Sequence, residues 1–237
     1  KTRIITNYAI RIKKYLMLAK MNIIIIGMPG SGKGTQAELL AKKYRLAHIS
    51  TGDIFREEIN RKTEIGKKAD FLIKRGKLVP NEITNEIVRK KLTELKSKKG
   101  FILDGYPRNM VQAGFLDSSS KLDAAIFMEI SDEAAKKRLM GRYSCGKCSR
   151  NYNIFTRPIP KKELLCDKCK IPLVQRDDDD EKSVLKRIEV YHRITEKLIP
   201  FYREKGILLE INGEQTVPAV RREIIKKLKE LTNRNKK

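Results

Sequence analysis

The 237-residue chain has no tryptophan, only two histidines and 6% aromatic residues. So few aromatics exclude a broad base-stacking platform for single-stranded nucleic acid. With only His48 and His192 available, histidine-based acid or base chemistry has almost no place to sit, and both are expected to be structural. Long apolar runs are also missing. Stretches such as Ile23 to Ile26 fall far short of the roughly 20 residues that a membrane-spanning helix needs, so no membrane association is expected. Acidic residues are absent from positions 1–20, where Lys1, Arg3, Arg11, Lys13, Lys14 and Lys20 stand. Arg11, Lys13 and Lys14 interrupt any secretory apolar stretch, and a cytoplasmic location is expected. Met21 directly precedes the first apolar run. Residues 1–20 therefore read as a basic extension, not necessarily native, with the folded part starting at Met21.

The net charge of +24 is concentrated at the ends: positions 221–237 carry eight Lys or Arg against Glu223 and Glu230. Basic ends attract RNA or anionic surfaces. The competing reading is a solvated helix face, since Val220, Ile224, Ile225, Leu228 and Leu231 recur at helical spacing. That reading is preferred, and no obligatory nucleic-acid partner is expected.

Residues Gly27 to Gln36, GMPGSGKGTQ, follow the isoleucine run and open into AELLAKKY. Strand, glycine-rich turn and helix in that order make a phosphate-binding loop. Glycines let successive N–H groups turn inward on phosphate oxygens at the positive end of a helix, and Lys33 adds a point charge. The Ser or Thr that usually follows this lysine is replaced by Gly34, with Thr35 one position later.

Further short β-like segments occur at 47–50, 101–104, 124–130 and 207–211, separated by helical patterns. The alternation predicts an α/β fold, three-layer α/β/α around a five-stranded parallel sheet, with its ligand crevice at the carboxyl ends of the strands. Asp104 ends an otherwise apolar strand at that edge, suited to holding magnesium through water or, alternatively, to capping. Two segments interrupt the alternation: a helical one (50–79) and a cysteine- and proline-containing one (142–180). The core would then comprise 21–49, 80–141 and 181–237.

Cys145, Cys148, Cys166 and Cys169 form two C-x-x-C knuckles separated by 17 residues, the spacing of a zinc ribbon. Four thiolates close a tetrahedral shell with no open position, so the metal would be structural. Iron or a pair of disulfides are the alternatives.

Arginines for phosphate neutralisation come next: Arg56, Arg108, Arg138, Arg142, Arg176 and Arg187 sit at element ends or lobe edges. Their settings, in order, are GMPGSGKGTQA, ISTGDIFR, GKLVP, GFILDGYPRN with Gln112-Ala113, RLMGR, the four-cysteine lobe, QRDDDDE, KRIEVYH and ING. Over Met21 to Leu231 the chain resembles the adenylate kinase family in its long-lid, zinc-containing form. The resemblance implies magnesium-dependent transfer of the γ-phosphoryl of ATP to AMP, giving two ADP, in a monomer. It makes 50–79 an AMP-binding insertion and 142–180 a closing lid.

By the same resemblance, Gly30, Ser31, Gly32, Lys33, Gly34 and Thr35 hold the donor phosphates, Arg138 lies on the donor adenine and Gln215 contacts it through its carbonyl. Thr51, Arg56, Val79, Gly105, Arg108 and Gln112 match AMP positions. Arg142, Arg176 and Arg187 close over the phosphates, the latter two also on the acceptor side, and Asp104 is the magnesium partner. Asp178 and Asp179 are either lid latches or a solvated acidic run. Tyr143 replaces a frequent second arginine and Asn109 a frequent threonine. GTP as donor, and an RNA-associated ATPase with a zinc ribbon, are the competing readings.

Overall fold

A computed structural model describes residues 18–95, 99–148, 150–156 and 158–234, so the extension read at 1–20 lies outside the described residues up to position 17. The sheet consists of β1 (Asn22–Gly27), β2 (Ala47–Ser50), β3 (Phe101–Asp104), β4 (Ala124–Glu129) and β8 (Leu208–Asn212). All pairs are parallel, in the order β2-β3-β1-β4-β8. Compared with the sequence reading, β1 extends one residue beyond the isoleucine run at each end, β4 ends one residue earlier and β8 is shifted by one residue.

Four consecutive isoleucines make β1 the central strand. Side chains alternate between faces, so a run with no polar member is stable only with helices on both sides. Ile23 and Ile25 pack against Ala37 and Leu40 of α1 (Lys33–Tyr44) and Ile224 and Leu228 of α9 (Val217–Arg234). Ile24 and Ile26 face Val88 of α4 (Asn81–Glu94), Leu116 of α5 (Met110–Ser119) and Leu198 of α8 (Leu198–Glu204). Each such burial contributes about 1.5–3 kcal/mol. On α9, Val220, Ile224, Leu228 and Leu231 are buried while Arg222, Lys226 and Lys229 are exposed, the amphipathic arrangement expected from the sequence.

Between β2 and α4 the chain makes two short helices, α2 (Thr51–Asn60) and α3 (Glu64–Ile73). Ser50 Oγ and Thr63 Oγ1 cap them, accepting from Asp53 N at 3.2 Å and Gly66 N at 3.0 Å. The helices meet at Gly66, where a Cβ would stand 2.2 Å from the Glu58 carbonyl oxygen. After β4 comes α6 (Asp132–Met140), and then three short strands absent from the sequence reading. These are β5 (Arg142–Cys145), β6 (Asn151–Asn153) and β7 (Leu173–Gln175), antiparallel with β5 central. Asp180 Oδ1 then caps α7 (Glu181–Val190), accepting from Ser183 N at 3.1 Å. One wide turn, Tyr191–Thr195, is π-helical and leads towards α8.

The two excursions touch through Lys74, which pairs with Asp177 at 3.4 Å, and Ser183 of α7 donates from Oγ to Lys74 O at 2.7 Å beside that contact.

Candidate functional site

The carboxyl edge of β1 runs directly into the glycine-rich loop. Gly30 and Gly32 have φ of +85° and +87°, a left-handed conformation that costs glycine nothing. Gly34 serves by size instead, since a Cβ there would lie 3.1 Å from Asp104 Oδ2. The missing hydroxyl after Lys33 thus makes room for the carboxylate at the end of β3. Lys33 curls back, its Nζ donating to Met28 O at 3.1 Å. Ser31 is buried, and its hydroxyl has no hydrogen-bond partner among the described residues.

Arg138 of α6 joins two of the loops, Nη1 donating to Gly213 O at 2.9 Å and to Gly30 O at 3.5 Å. Gln215 is exposed, donating to Glu223 at 2.7 Å and to Asn212 O at 3.3 Å.

Across the cleft, Thr51 Oγ1 donates to Gly105 O at 3.0 Å. Gly105 has φ +76°, and a Cβ on it would come within 2.9 Å of that hydroxyl. Arg108 follows: its Nε donates to Gly105 O at 2.9 Å, and its carbonyl accepts from Thr195 Oγ1 at 2.9 Å. Gln112 is buried, its Oε1 accepting from Arg108 N at 2.7 Å. Arg56 pairs with Asp53. Val79 stands apart from the polar groups, in a small core with Phe55 and Ala69.

From the other side, Arg142 grips Asp179 through two hydrogen bonds of 2.7 and 2.6 Å. Arg187 binds Asp179 at 3.0 Å and Asp178 at 2.9 Å. Asp179 is 1% exposed, so Asp178 and Asp179 are placed partners, and for these two the solvated reading does not hold. Arg176 donates to Ser144 Oγ at 3.2 Å and Asn151 Oδ1 at 2.8 Å.

Lys33, Gly105, Arg108, Arg142 and Arg187 line one cleft, together with Tyr191 and Thr195. The last two come from the π-turn, which left no signal in the sequence. Cations outnumber carboxylates there, and burial first, then that excess, shifts the ionisations. Burial in the cleft depresses Lys33 to about 8; nearby Asp104 opposes this, and Arg108, Arg187 and Arg142 add to it. Burial, with Arg142 and Arg56, lowers Arg176 to about 9 against the pull of Asp178 and Asp179. Arg108 and Arg187 are lowered in the same way, burial first. For Asp178 burial pushes upward, but the arginines, Arg187 foremost, prevail and hold it low. Such a site is relieved by a polyanion, and phosphates are the matching chemistry.

Neither histidine enters the cleft. His48 is an exposed strand residue, and His192 sits between Asp132 at 2.9 Å and Glu196 at 3.0 Å.

The four cysteine sulfurs lie within 4.8 Å of one another, with no disulfide, and Cys148 and Cys166 are 3.7 Å apart. A tetrahedral ion with bonds of about 2.3 Å requires sulfurs about 3.8 Å apart, so the thiol set fits such an ion. Tyr152, unremarked in the sequence, is buried against Cys166 at 3.7 Å and accepts from Asp167 N at 2.9 Å.

Comparison with known proteins matches residues 25–207 to the adenylate kinase family model. A relative from Caldicellulosiruptor bescii, named adenylate kinase, is 44% identical over 213 residues, covering 88% of this chain and 99% of the relative. The adenylate kinase of Clostridium tetani is 48% identical over 199 residues, 81% and 91% of the two chains. That of Thermotoga neapolitana is 43% identical over 210 residues, 86% and 95%.

Proposed function

From the chain's membership of the adenylate kinase family, and with it ATP:AMP phosphotransferase activity, we infer an in-line, magnesium-dependent transfer of the γ-phosphoryl group between nucleotides held on opposite walls of the cleft. The observation carrying this reading is the convergence of Lys33, Arg108, Arg142 and Arg187 on one cleft at the carboxyl edge of the sheet. An AMP phosphate oxygen is already anionic and needs no general base. It bonds to the γ-phosphorus as the bond to the β,γ-bridging oxygen breaks, leaving ADP on both sides. Charge neutralisation and alignment are the remaining tasks, and these are what fixed guanidinium groups supply.

The loop from Gly30 to Thr35 and Lys33 hold the donor phosphates, with Arg138 and Gln215 at the donor base. Thr51, Arg56, Val79, Gly105, Arg108 and Gln112 form the acceptor side. Arg142, Arg176 and Arg187 cover the phosphates, and residues 142–180 form a lid that excludes water when shut. Asp104, with the space left by Gly34, suits an oxygen-preferring magnesium ion held through water; that ion would neutralise charge on the β and γ phosphates. Cys145, Cys148, Cys166 and Cys169 hold a structural zinc. By the family resemblance the protein acts as a monomer on free nucleotides. Family membership does not favour GTP as the donor or an RNA-associated ATPase.

ADP formation from magnesium-ATP with AMP, CMP, UMP or GMP tests the acceptor assignment. AMP alone is expected to support rapid turnover. ATP hydrolysis independent of any nucleoside monophosphate would overturn the reading.

Lys33 gives a second expectation. With its pKa near 8, the empty cleft loses this charge as pH rises through that value, whereas bound phosphates hold the proton on. ATP binding at pH 8 is therefore expected to take up about half a proton. ATP affinity should fall above that pH. Calorimetry in buffers of different ionisation enthalpy measures the uptake; Lys33→Met should remove it.

A further inference from the structure

We propose that Asn81 is a positioning residue that sets the hand of the Gln112 amide and so the adenine selectivity of the acceptor site; this rests on the placement of Gln112 at the AMP base given above.

Two backbone donors force the arrangement. Arg108 N points at the Gln112 side chain at 2.7 Å, and an N–H must meet an oxygen, so Oε1 occupies that end and Nε2 the other. Gln112 N likewise points at Asn109 at 2.9 Å, placing Oδ1 there and leaving Asn109 Nδ2 as a donor. Both remaining donors converge on Asn81 Oδ1, Asn109 Nδ2 at 2.8 Å and Gln112 Nε2 at 3.1 Å. The carboxamide of Asn81 must therefore present oxygen. Its own Nδ2 makes no hydrogen bond among the described residues.

Turning the Gln112 amide over would set its NH2 against Arg108 N–H and its oxygen against Asn81 Oδ1. Both contacts would be repulsive, in a side chain only 2% exposed, where unmet polar groups are costly. A glutamine amide reads an adenine edge by donating to N1 and accepting from the 6-amino group. Guanine presents the opposite order, a donor at N1 and an acceptor at O6, and would need the turned amide. Asn81 supplies one of the two contacts that forbid the turn. It is also the first residue of α4, two positions after Val79.

Only the oxygen of Asn81 is used. An aspartate can replace it and an isosteric leucine cannot. Steady-state phosphotransfer from magnesium-ATP to AMP and to GMP tests this in Asn81→Leu, Asn81→Asp and Gln112→Leu, with thermal melts to verify folding. Asn81→Leu is expected to raise the KM for AMP more than it lowers kcat. It should also shrink the preference for AMP over GMP by about tenfold or more. Asn81→Asp should restore both. An unchanged preference in folded Asn81→Leu, with a reduced preference in Gln112→Leu, would overturn the role of Asn81. An unchanged preference in Gln112→Leu as well would instead overturn the placement of Gln112 at the base. If Asn81→Leu melts markedly lower, Asn81→Asp decides alone, because loss of the AMP preference with an intact fold contradicts the proposal.

Discussion

Arg108→Ala is expected to lower kcat for phosphotransfer from ATP to AMP by about three orders of magnitude or more, the scale seen when an arginine that neutralises a transferring phosphoryl group is removed. The fold should survive, because the loop is held by other contacts. The backbone N of Arg108 donates to Gln112 and its carbonyl accepts from Thr195, and both bonds remain in alanine. The side chain gives up one internal hydrogen bond, to Gly105 O, and opens onto the cleft, so its removal leaves no cavity in the core. A melting temperature within a few degrees of wild type should accompany the lost turnover. Lysine at this position should recover little, since a point charge lacks the planar fork of guanidinium. Near-normal kcat in Arg108→Ala would remove this residue from the transfer step.

Removing the zinc proposed for the four-cysteine lobe is expected to cost turnover by about a hundredfold or more while the parallel sheet stays folded, because a misplaced covering element alone can cost that much. The lobe cannot hold itself. Its buried cluster consists of Cys145, Tyr152, Cys166 and Leu173, while Ile154, Phe155, Ile159 and Val174 are exposed. So small a core falls below what an independent fold requires. A structural zinc contributes about 10–16 kcal/mol in small metal domains, enough to decide whether this lobe is ordered. Arg142, Arg176, Asp178 and Asp179 would lose their fixed positions with it. Metal analysis should return one zinc per chain, and Cys166→Ser should behave like chelated wild type. The circular dichroism of the α/β core should persist through the loss. Metal-free protein with activity within a few fold of wild type would show that the lobe orders without an ion.

Much of this protein could be read without coordinates, for definite reasons. Ile23 to Ile26 offers no polar face, so β1 had to be covered on both sides. The phosphate loop joins a strand to a helix within one local stretch, and two C-x-x-C knuckles carry their ligand geometry in their spacing. In each case neighbouring residues constrain one another, and order along the chain is enough.

The tertiary structure decided what depends on pairs far apart in sequence. Asp179 could have been solvated; it is buried only because Arg142 of β5 and Arg187 of α7 converge on it. Asn81 carries no motif, and its position between Asn109 and Gln112 exists only once α4 packs beside the loop before α5. Thr195 reaches Arg108 through a π-turn that no periodicity announced. The depressed Lys33 likewise reflects burial by packed segments first, and then the opposing charges of Asp104 and of Arg108, Arg187 and Arg142. Local pattern thus determined the sheet, the phosphate loop and the pairing of the two cysteine knuckles. Which polar groups face each other, and so how strongly each is held, depended on long-range packing that brings such pairs within a few ångströms.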